Sequence, residues 1–425
     1  MGGPMDGVWG PRPQWGGGAS PSPSLMPDLA DRLSRAPPAA TVAMTIKARA
    51  LRAQGVPVIA LTIGEPDFDS PAHAIEAAHQ AALIGDTKYP PQDGTPALKA
   101  AIQRKLLRDN GIDYRLDQIM VSNGGKGVLF NALMATLNDG DEVIIPAPYW
   151  GAYPLMTGVV GGVPVIVNCP QNNGFKLRAE DLAAAITPRT KWLILNSPNN
   201  PTGAALSVDE LRELAAVLLG HPHVWVMADD MYEHLVFDGG PHATMAAVEP
   251  RLADRVLTVS GVSKTYAMTG WRIGWAAGPA PLIAAMVNMQ GQVAAGVSTV
   301  GQAAATAALN GPQEAVGVMA AAYRRRRDLV VDALNQAPGI QCHRPEGAFY
   351  VYPNVAGCLG RVTAAGTTLH TDEDFALALL AEQHVAVVHG RAFGMSPYVR
   401  ISYASDDASL VEACARIQAF CRALR

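Results

Sequence analysis

Charge is scarce in this chain of 425 residues: 16% are Asp, Glu, Lys or Arg, and 33 basic residues stand against 37 acidic ones for a formal net charge of -4. So balanced a chain carries no electrostatic footprint for phosphate backbones, which excludes nucleic-acid binding as its main business. Cysteine is scarcer still. The five thiols, Cys169, Cys342, Cys358, Cys414 and Cys421, include no C-x-x-C pair. Neither a disulfide framework nor a metal module is expected, and the chain reads as a reduced, cytoplasmic protein. No run of about 18 uninterrupted apolar residues exists, and no basic-then-apolar leader opens the chain, so neither a membrane span nor a secretory signal is expected. No G-x-G-x-x-G follows a strand. A P-loop is excluded because Met120 stands where its first glycine belongs and no Ser or Thr follows Lys126.

What is present is ample chain for large cores, with two or three structural units expected at about 150 residues each. Met1 to Pro27 holds seven Gly and six Pro, with Asp6 and Arg12 its only charges. Such a segment cannot bury enough apolar surface to offset its ordering entropy, and residues 1–27 are expected to be a disordered tail. From Leu29 the texture is globular. Helical periodicity predicts helices over 41–54, 71–85, 95–110, 126–137 and 208–219. Short, near-continuous apolar runs predict strands over 118–122, 142–146, 163–168, 191–196, 224–228, 255–260 and 271–276. Strands of that texture are covered on both faces. Their alternation with helices predicts an α/β fold: a large domain with a mostly parallel seven-stranded sheet between helices. After Gly311 a long helix (314–336), short strands (348–352, 385–389, 399–404) and a terminal helix (410–423) predict a smaller α+β domain. The expected division is 28–65 (contributing to the small domain), 66–311 (large) and 312–425 (small). The basic run Arg324–Arg327 is expected on a solvated helix face.

Four clusters suggest chemistry, and each has a plainer reading. Ser263-Lys264 follows an apolar strand, with Ser260 before it and Arg272 eight residues on. Lys264 is either a surface-loop lysine or an amine that bonds covalently to an aldehyde, which requires partial desolvation. Ser260, Ser263 and the Arg272 fork would then hold an anion beside it. Asn196 to Gly203 is a turn-rich segment at a strand end, where α/β sheets also bind ligands. Asp229, at another strand end, either caps a helix or faces a ligand together with Tyr232. Ser122-Asn-Gly-Gly-Lys126 turns a strand into a helix whose first backbone N–H groups make an anion site.

Taken together and in this order, the clusters resemble the fold-type I pyridoxal-phosphate aminotransferases of class I, most nearly the bacterial aspartate aminotransferase branch. GEPDFDSP from Gly64, KYPPQDGTPALKAAI from Lys88, GDEVIIPAPYW ending at Trp150, PNNPTG from Pro198, AMTGWRIG ending at Gly274, EGAFYVYP from Glu346 and VRISYA ending at Ala404 carry the resemblance, which spans about 29–425. It implies that pyridoxal 5'-phosphate is bound covalently by Lys264, which also shuttles the substrate proton. It implies that Asp229 pairs with the pyridine nitrogen and keeps the ring an electron sink. Tyr232 and Asn200 would hydrogen-bond the ring's phenolic oxygen, and Trp150 would stack on its face. Ser260, Ser263, Arg272 and the amides of Gly125 and Lys126 would hold the phosphate. Tyr89 would reach the phosphate of a neighbouring subunit, implying a homodimer with shared sites. Arg400 would clamp the substrate α-carboxylate, Gly64 would line the same pocket, and Lys126 would bind the distal carboxylate of aspartate or glutamate.

Four places depart from that branch: Pro37-Pro38-Ala39 in place of Lys-Pro-Ser, Gly127 in place of glutamine, Met289–Gly296 without its hydroxyl-rich pattern, and His389 in place of proline. A pocket with fewer polar groups accepts aromatic or aliphatic amino acids more readily. The expected activity is ping-pong amino transfer between an L-amino acid, aspartate or glutamate first, and a 2-oxo acid. The alternatives are an aromatic amino acid or prephenate aminotransferase and a β-lyase on the same scaffold. A cofactor-sensing DNA-binding regulator is disfavoured, because the Gly/Pro-rich stretch before Leu29 carries no basic helix.

Overall fold

Alternate residues of the apolar strands face opposite layers, and this alternation builds the large sheet. The computed structural model describes residues 30–35, 40–238 and 240–425. The expected tail at 1–27 and the departures at Pro37 and Ala39 lie outside the described residues. β1 (Ile59–Ala60) is followed by seven strands, β2 (Ile119–Asn123), β3 (Glu142–Ala147), β4 (Val163–Asn168), β5 (Thr190–Asn196), β6 (Trp225–Asp229), β7 (Val256–Gly261) and β8 (Ile273–Ala277). These seven form one sheet in the order β2-β8-β7-β6-β5-β3-β4. Only β8 runs against the rest, antiparallel to both β2 and β7. Val143, Ile145, Ile194 and Met227 pack on one face with Leu129, Leu133, Leu282 and Met286. Ile144, Leu193, Leu195 and Val226 pack on the other with Leu211, Leu214 and Leu218. Both faces are therefore dry, as the near-continuous apolar runs require.

The helices fall where periodicity places them, and their ends follow capping chemistry. Thr95 caps Pro96–Lys105 with its hydroxyl, and Ser207 with Glu210 closes a capping box on Val208–Leu219. The helix expected over 95–110 is regular only to Lys105; Leu106–Asn110 widens into a π turn that ends at Gly111 with φ +69°.

A second core lies away from the sheet. Met44, Ala48, Val58 and Leu61 pack in one cluster with Tyr323, Val330, Phe349, Leu379, Ile401 and Ile417. Four short strands serve it: β9 (Tyr350–Val351), β10 (Val385–Ala386), β11 (Val388–His389) and β12 (Val399–Ser402). β1 pairs with β10, and β12 sits between β11 and β9. The basic run is not the solvated face expected. Arg324 and Arg325 are exposed, but Arg326 and Arg327 retain only 8% and 2% of their accessible surface. Arg326 donates to Asp67 (2.8 Å) and Asp407 (2.9 Å), and Arg327 donates to the Pro345 carbonyl (3.0 Å) and pairs with Asp238. Consecutive basic residues on a helix point about 100° apart, so two of the four turn inward, and each is met by a partly exposed carboxylate. No helix among the described residues is long and apolar enough to cross a membrane.

Candidate active site

The carboxyl ends of the parallel strands deliver the site. β5 ends on Asn196 and β6 on Asp229, adjacent in register, and β7 runs through Ser260 and Gly261 into the helical turn Val262–Thr265 that carries Lys264. β2 ends at Asn123, where Gly124 takes φ +74° and starts the helix carrying Gly125 and Lys126. A cavity of about 550 Å³ opens at this edge, lined by 23 residues that include Gly64, Gly125, Lys126, Trp150, Asn200, Asp229, Tyr232, Ser263, Lys264, Arg272 and Arg400. Its size suits a small aromatic cofactor with a substrate beside it.

Lys264 Nζ donates to the Gly64 carbonyl at 2.5 Å. Burial pushes its pKa down to about 8, with the nearby Arg272 and Arg400 charges adding to the shift and Glu65 and Asp229 opposing it. About a tenth of this amine is thus neutral and nucleophilic at pH 7, far more than of a solvated lysine. Gly64 has no room for a side chain: an added Cβ would lie 2.0 Å from the Tyr350 hydroxyl.

Asp229 is fully enclosed, and burial pushes its carboxyl up to about 6. The Tyr153 hydroxyl donates to Oδ2 at 2.5 Å and the Met231 amide to Oδ1 at 3.3 Å, which hold it against that trend. A buried carboxylate so disfavoured gains most from a cation placed beside it. Asn196 Nδ2 donates to the Asp229 carbonyl (2.9 Å), while its Oδ1 accepts the Asn200 amide (2.8 Å), so one side chain ties the two strand ends together.

Arg400 is 3% exposed and lies between two rings, 4.7 Å from the Tyr350 centroid and 4.7 Å from that of Phe393. Nη1 donates to Asn200 Oδ1 (2.9 Å) and Nη2 to the Thr62 carbonyl (2.6 Å), and Nε has no partner. No carboxylate pairs with it among the described residues. A buried, stacked guanidinium with donors to spare and no counter-ion is built to receive an anion. Tyr232 and Tyr350 share a hydrogen bond through their hydroxyls at 2.9 Å.

Arg272 holds a left-handed backbone, φ +57°, a strained state for a residue with a side chain. Its guanidinium lies against the Asn123–Gly124 turn: Nη2 is 3.4 Å from the Asn123 carbonyl, and a Cβ on Gly124 would sit 2.4 Å from that nitrogen. Lys126 Nζ lies 5.0 Å from the Trp150 ring centroid, and desolvation and the Arg272 charge lower its proton affinity. Ser263 lines the cavity beside Lys264. Tyr89, 93% exposed, does not line it.

Ser260 is a correction. Its hydroxyl donates to Glu233 Oε1 at 2.7 Å, in a buried group with Lys105 and Asn110, and neither Ser260 nor Glu233 lines the cavity. Hydroxyl residues three apart at a strand-to-helix junction do not share a direction, and only Ser263 turns inward. Ser260→Ala is therefore expected to leave cofactor affinity within about twofold while lowering stability by about 1 kcal/mol. Spectral titration and thermal unfolding check the two halves. None of Gly127, His389 and Met289–Gly296 lines the cavity of this chain. Sequence reasoning passed over Tyr153, Tyr350 and Thr62. Tyr153 stands one helical step beyond Trp150, and Tyr350 lies inside EGAFYVYP, so both had a signal; Thr62 acts through its carbonyl and had none.

An amine of lowered proton affinity, a buried carboxylate needing a cation and an unpaired buried guanidinium around one cavity are the equipment of an amino-group-transferring enzyme. The chain belongs to the aminotransferase class I and II family, whose model matches residues 56–417. It is a pyridoxal-phosphate-dependent amino acid aminotransferase, similar to aspartate aminotransferases. An aspartate/prephenate aminotransferase of Cereibacter sphaeroides is 56% identical over 396 residues, 93% of this chain and 99% of that one. An aspartate aminotransferase of Rhizobium meliloti is 54% identical over 375 residues, covering 88% and 92%. Among solved structures, the Rhizobium meliloti aspartate aminotransferase superposes with a TM-score of 0.91 at 52% identity, covering 94% of this chain and all of that one. The Thermus thermophilus aspartate aminotransferase with maleate gives 0.86 at 41%, covering 93% of this chain and 100% of the other.

Proposed function

We propose that this enzyme moves the amino group of a dicarboxylic L-amino acid, aspartate or glutamate, to a 2-oxo acid, with pyridoxal 5'-phosphate in the cavity. The observation that carries this reading is Arg400, a buried guanidinium with unspent donors in the same cavity as the Lys264 amine and the uncommitted Lys126 ammonium.

The residues fit the cofactor. Lys264 would hold its aldehyde, Asp229 its ring nitrogen, and Arg272, Ser263 and the amides of Gly125 and Lys126 its phosphate. Trp150 would cover the ring face, with Asn200 and Tyr232 at the phenolic edge. When bound, the cofactor supplies an electron sink that makes the substrate Cα–H acidic. The chain's own groups do the rest. Arg400 holds the α-carboxylate in a two-pronged grip, and Tyr350 and Phe393 on its two faces keep that grip in one plane. Asp229, held by Tyr153, keeps a proton on the ring nitrogen. Lys264 Nζ would take the proton from the substrate Cα and return it to the former aldehyde carbon of the cofactor, on the other side of the shared nitrogen. The Gly64 carbonyl gives that nitrogen a fixed resting place. Lys126 binds the distal carboxylate.

Tyr89, with the exposed Leu83 and Ile84 near it in sequence, supports a homodimer in which Tyr89 reaches the phosphate of the partner site. Prephenate is the second acceptor we propose, since the Cereibacter sphaeroides relative is named for both substrates. The test is spectroscopic. Protein loaded with pyridoxal 5'-phosphate is expected to absorb in the visible and to bleach on addition of aspartate, with colour restored by 2-oxoglutarate. Ammonia and pyruvate released without a 2-oxo acid would assign a β-lyase instead.

A further inference from the structure

The helix Ala40–Ala53 presents Val42, Thr45, Ile46 and Arg49 to the cavity. Their spacing, three, four and seven residues from the first, marks a single helix face. Thr62 fastens that face to the site. Its Oγ1 lies 3.1 Å from Thr45 Oγ1, and its carbonyl accepts from Arg400. One residue thus sets the helix in register with the α-carboxylate clamp, and Arg49 stands a turn beyond Thr45.

The balance of charge around the cavity is lopsided. Five cationic side chains line it, Arg49, Lys126, Lys264, Arg272 and Arg400, against a single carboxylate, Asp229. On the reading above, Lys264, Arg272 and Arg400 serve the cofactor and the α-carboxylate, and Lys126 lies over Trp150. Arg49 has no assigned task. It is exposed and makes no hydrogen bond or ion pair with any described residue. Between it and the inner site the rim is apolar: Val42, Ile46 and Ile63 are 52%, 58% and 42% exposed.

An unpaired cation beyond an apolar rim selects for a molecule with an apolar body and an anionic far end. We propose that Arg49 is a specificity-determining residue that binds the distal carboxylate of dicarboxylic 2-oxo acids whose two carboxylates are separated by an apolar body. Lys126 serves the short dicarboxylates. The inference rests on the amino-transfer reading and deepens it.

The matched probes are 4-carboxyphenylpyruvate and phenylpyruvate, which carry the same ring on the same 2-oxo acid arm; the first adds a carboxylate at the end of the ring away from that arm. Initial rates are measured on the cofactor-loaded enzyme with glutamate as donor, for wild type, Arg49→Ala and Arg49→Lys. Because one charged hydrogen-bonding contact is removed, Arg49→Ala should lower the ratio of kcat/KM for 4-carboxyphenylpyruvate to that for phenylpyruvate by about 10- to 100-fold, chiefly through KM for 4-carboxyphenylpyruvate. Arg49→Lys should recover part of it, since the charge returns without the fork. The ratio with oxaloacetate in place of 4-carboxyphenylpyruvate should move by less than about threefold. A 4-carboxyphenylpyruvate ratio within about twofold of wild type, or a wild-type enzyme that uses oxaloacetate and rejects 4-carboxyphenylpyruvate, overturns the role of Arg49 and leaves amino transfer standing. A loaded wild-type enzyme that transaminates nothing overturns the underlying reading itself.

Discussion

Lys264→Ala is expected to abolish turnover, by about ten-thousand-fold or more, because the proposed mechanism puts both the covalent attachment and the proton shuttle on one nitrogen. The same substitution is expected to stabilise the cofactor-free protein at pH 7. Burial lowers the Lys264 pKa from 10.5 to about 8. The folded state therefore binds this proton less well than the unfolded state. For a cation of lowered pKa, the favourable contribution is present above 10.5 and is lost as pH falls through about 8. At pH 7 the charged amine costs the fold an upper figure of roughly 3 kcal/mol, at about 1.36 kcal/mol for each tenfold change in proton affinity. Alanine removes that cost. Thermal unfolding at pH 7 should show a higher midpoint for the variant, and the gap should close as pH approaches 10.5. Full activity in Lys264→Ala would end the aminotransferase mechanism drawn above. An unchanged or lower midpoint at pH 7 would show that the cavity keeps the amine well solvated.

Arg400→Ala carries the second large effect. Loss of the guanidinium removes both prongs on the α-carboxylate and leaves Asn200 and the Thr62 carbonyl without their donor. We expect kcat/KM to fall by about 10²- to 10⁴-fold, the range for truncating a buried charge that binds an opposite one. Arg400→Lys should not rescue it. A lysine cannot donate to Asn200, Thr62 and two carboxylate oxygens from one plane, nor lie flat between Tyr350 and Phe393. Steady-state kinetics on aspartate decide it: a fall below tenfold in Arg400→Ala would place the carboxylate elsewhere.

The large sheet was legible because its strands are buried on both faces and therefore apolar end to end. Each expected strand lies within two residues of an observed one, and Val163–Asn168 and the helix Val208–Leu219 match at both ends. The second core was less legible. The apolar stretch after Gly55 yields only Ile59–Ala60 as strand, because its partner β10 offers two residues to pair with. Likewise 348–352 shrinks to Tyr350–Val351, since Ala348 takes φ +57° and breaks the ladder. Motifs bring the main site residues to one cavity, but they do not say which way a hydroxyl turns, and so Ser260 was misplaced. Nor does sequence distinguish the inward pair of the basic run, Arg326 and Arg327, from its outward pair. The inward pair is marked by partners remote in the chain, Asp67 for Arg326 and the Pro345 carbonyl for Arg327.

The bond from Arg400 to the Thr62 carbonyl joins residues 338 positions apart. Met44 and Leu61 likewise share a core with Ile401 and Ile417. During synthesis the helix Ala40–Ala53 emerges from the ribosome long before any of these partners exists, and it waits with Met44 and Ala48 uncovered while the large sheet is made. A nascent chain halted between Arg272 and Arg400 has the residues proposed for the cofactor but not the proposed clamp for the substrate's α-carboxylate. That clamp is completed only when the strand carrying Arg400 folds back against the segment carrying Thr62.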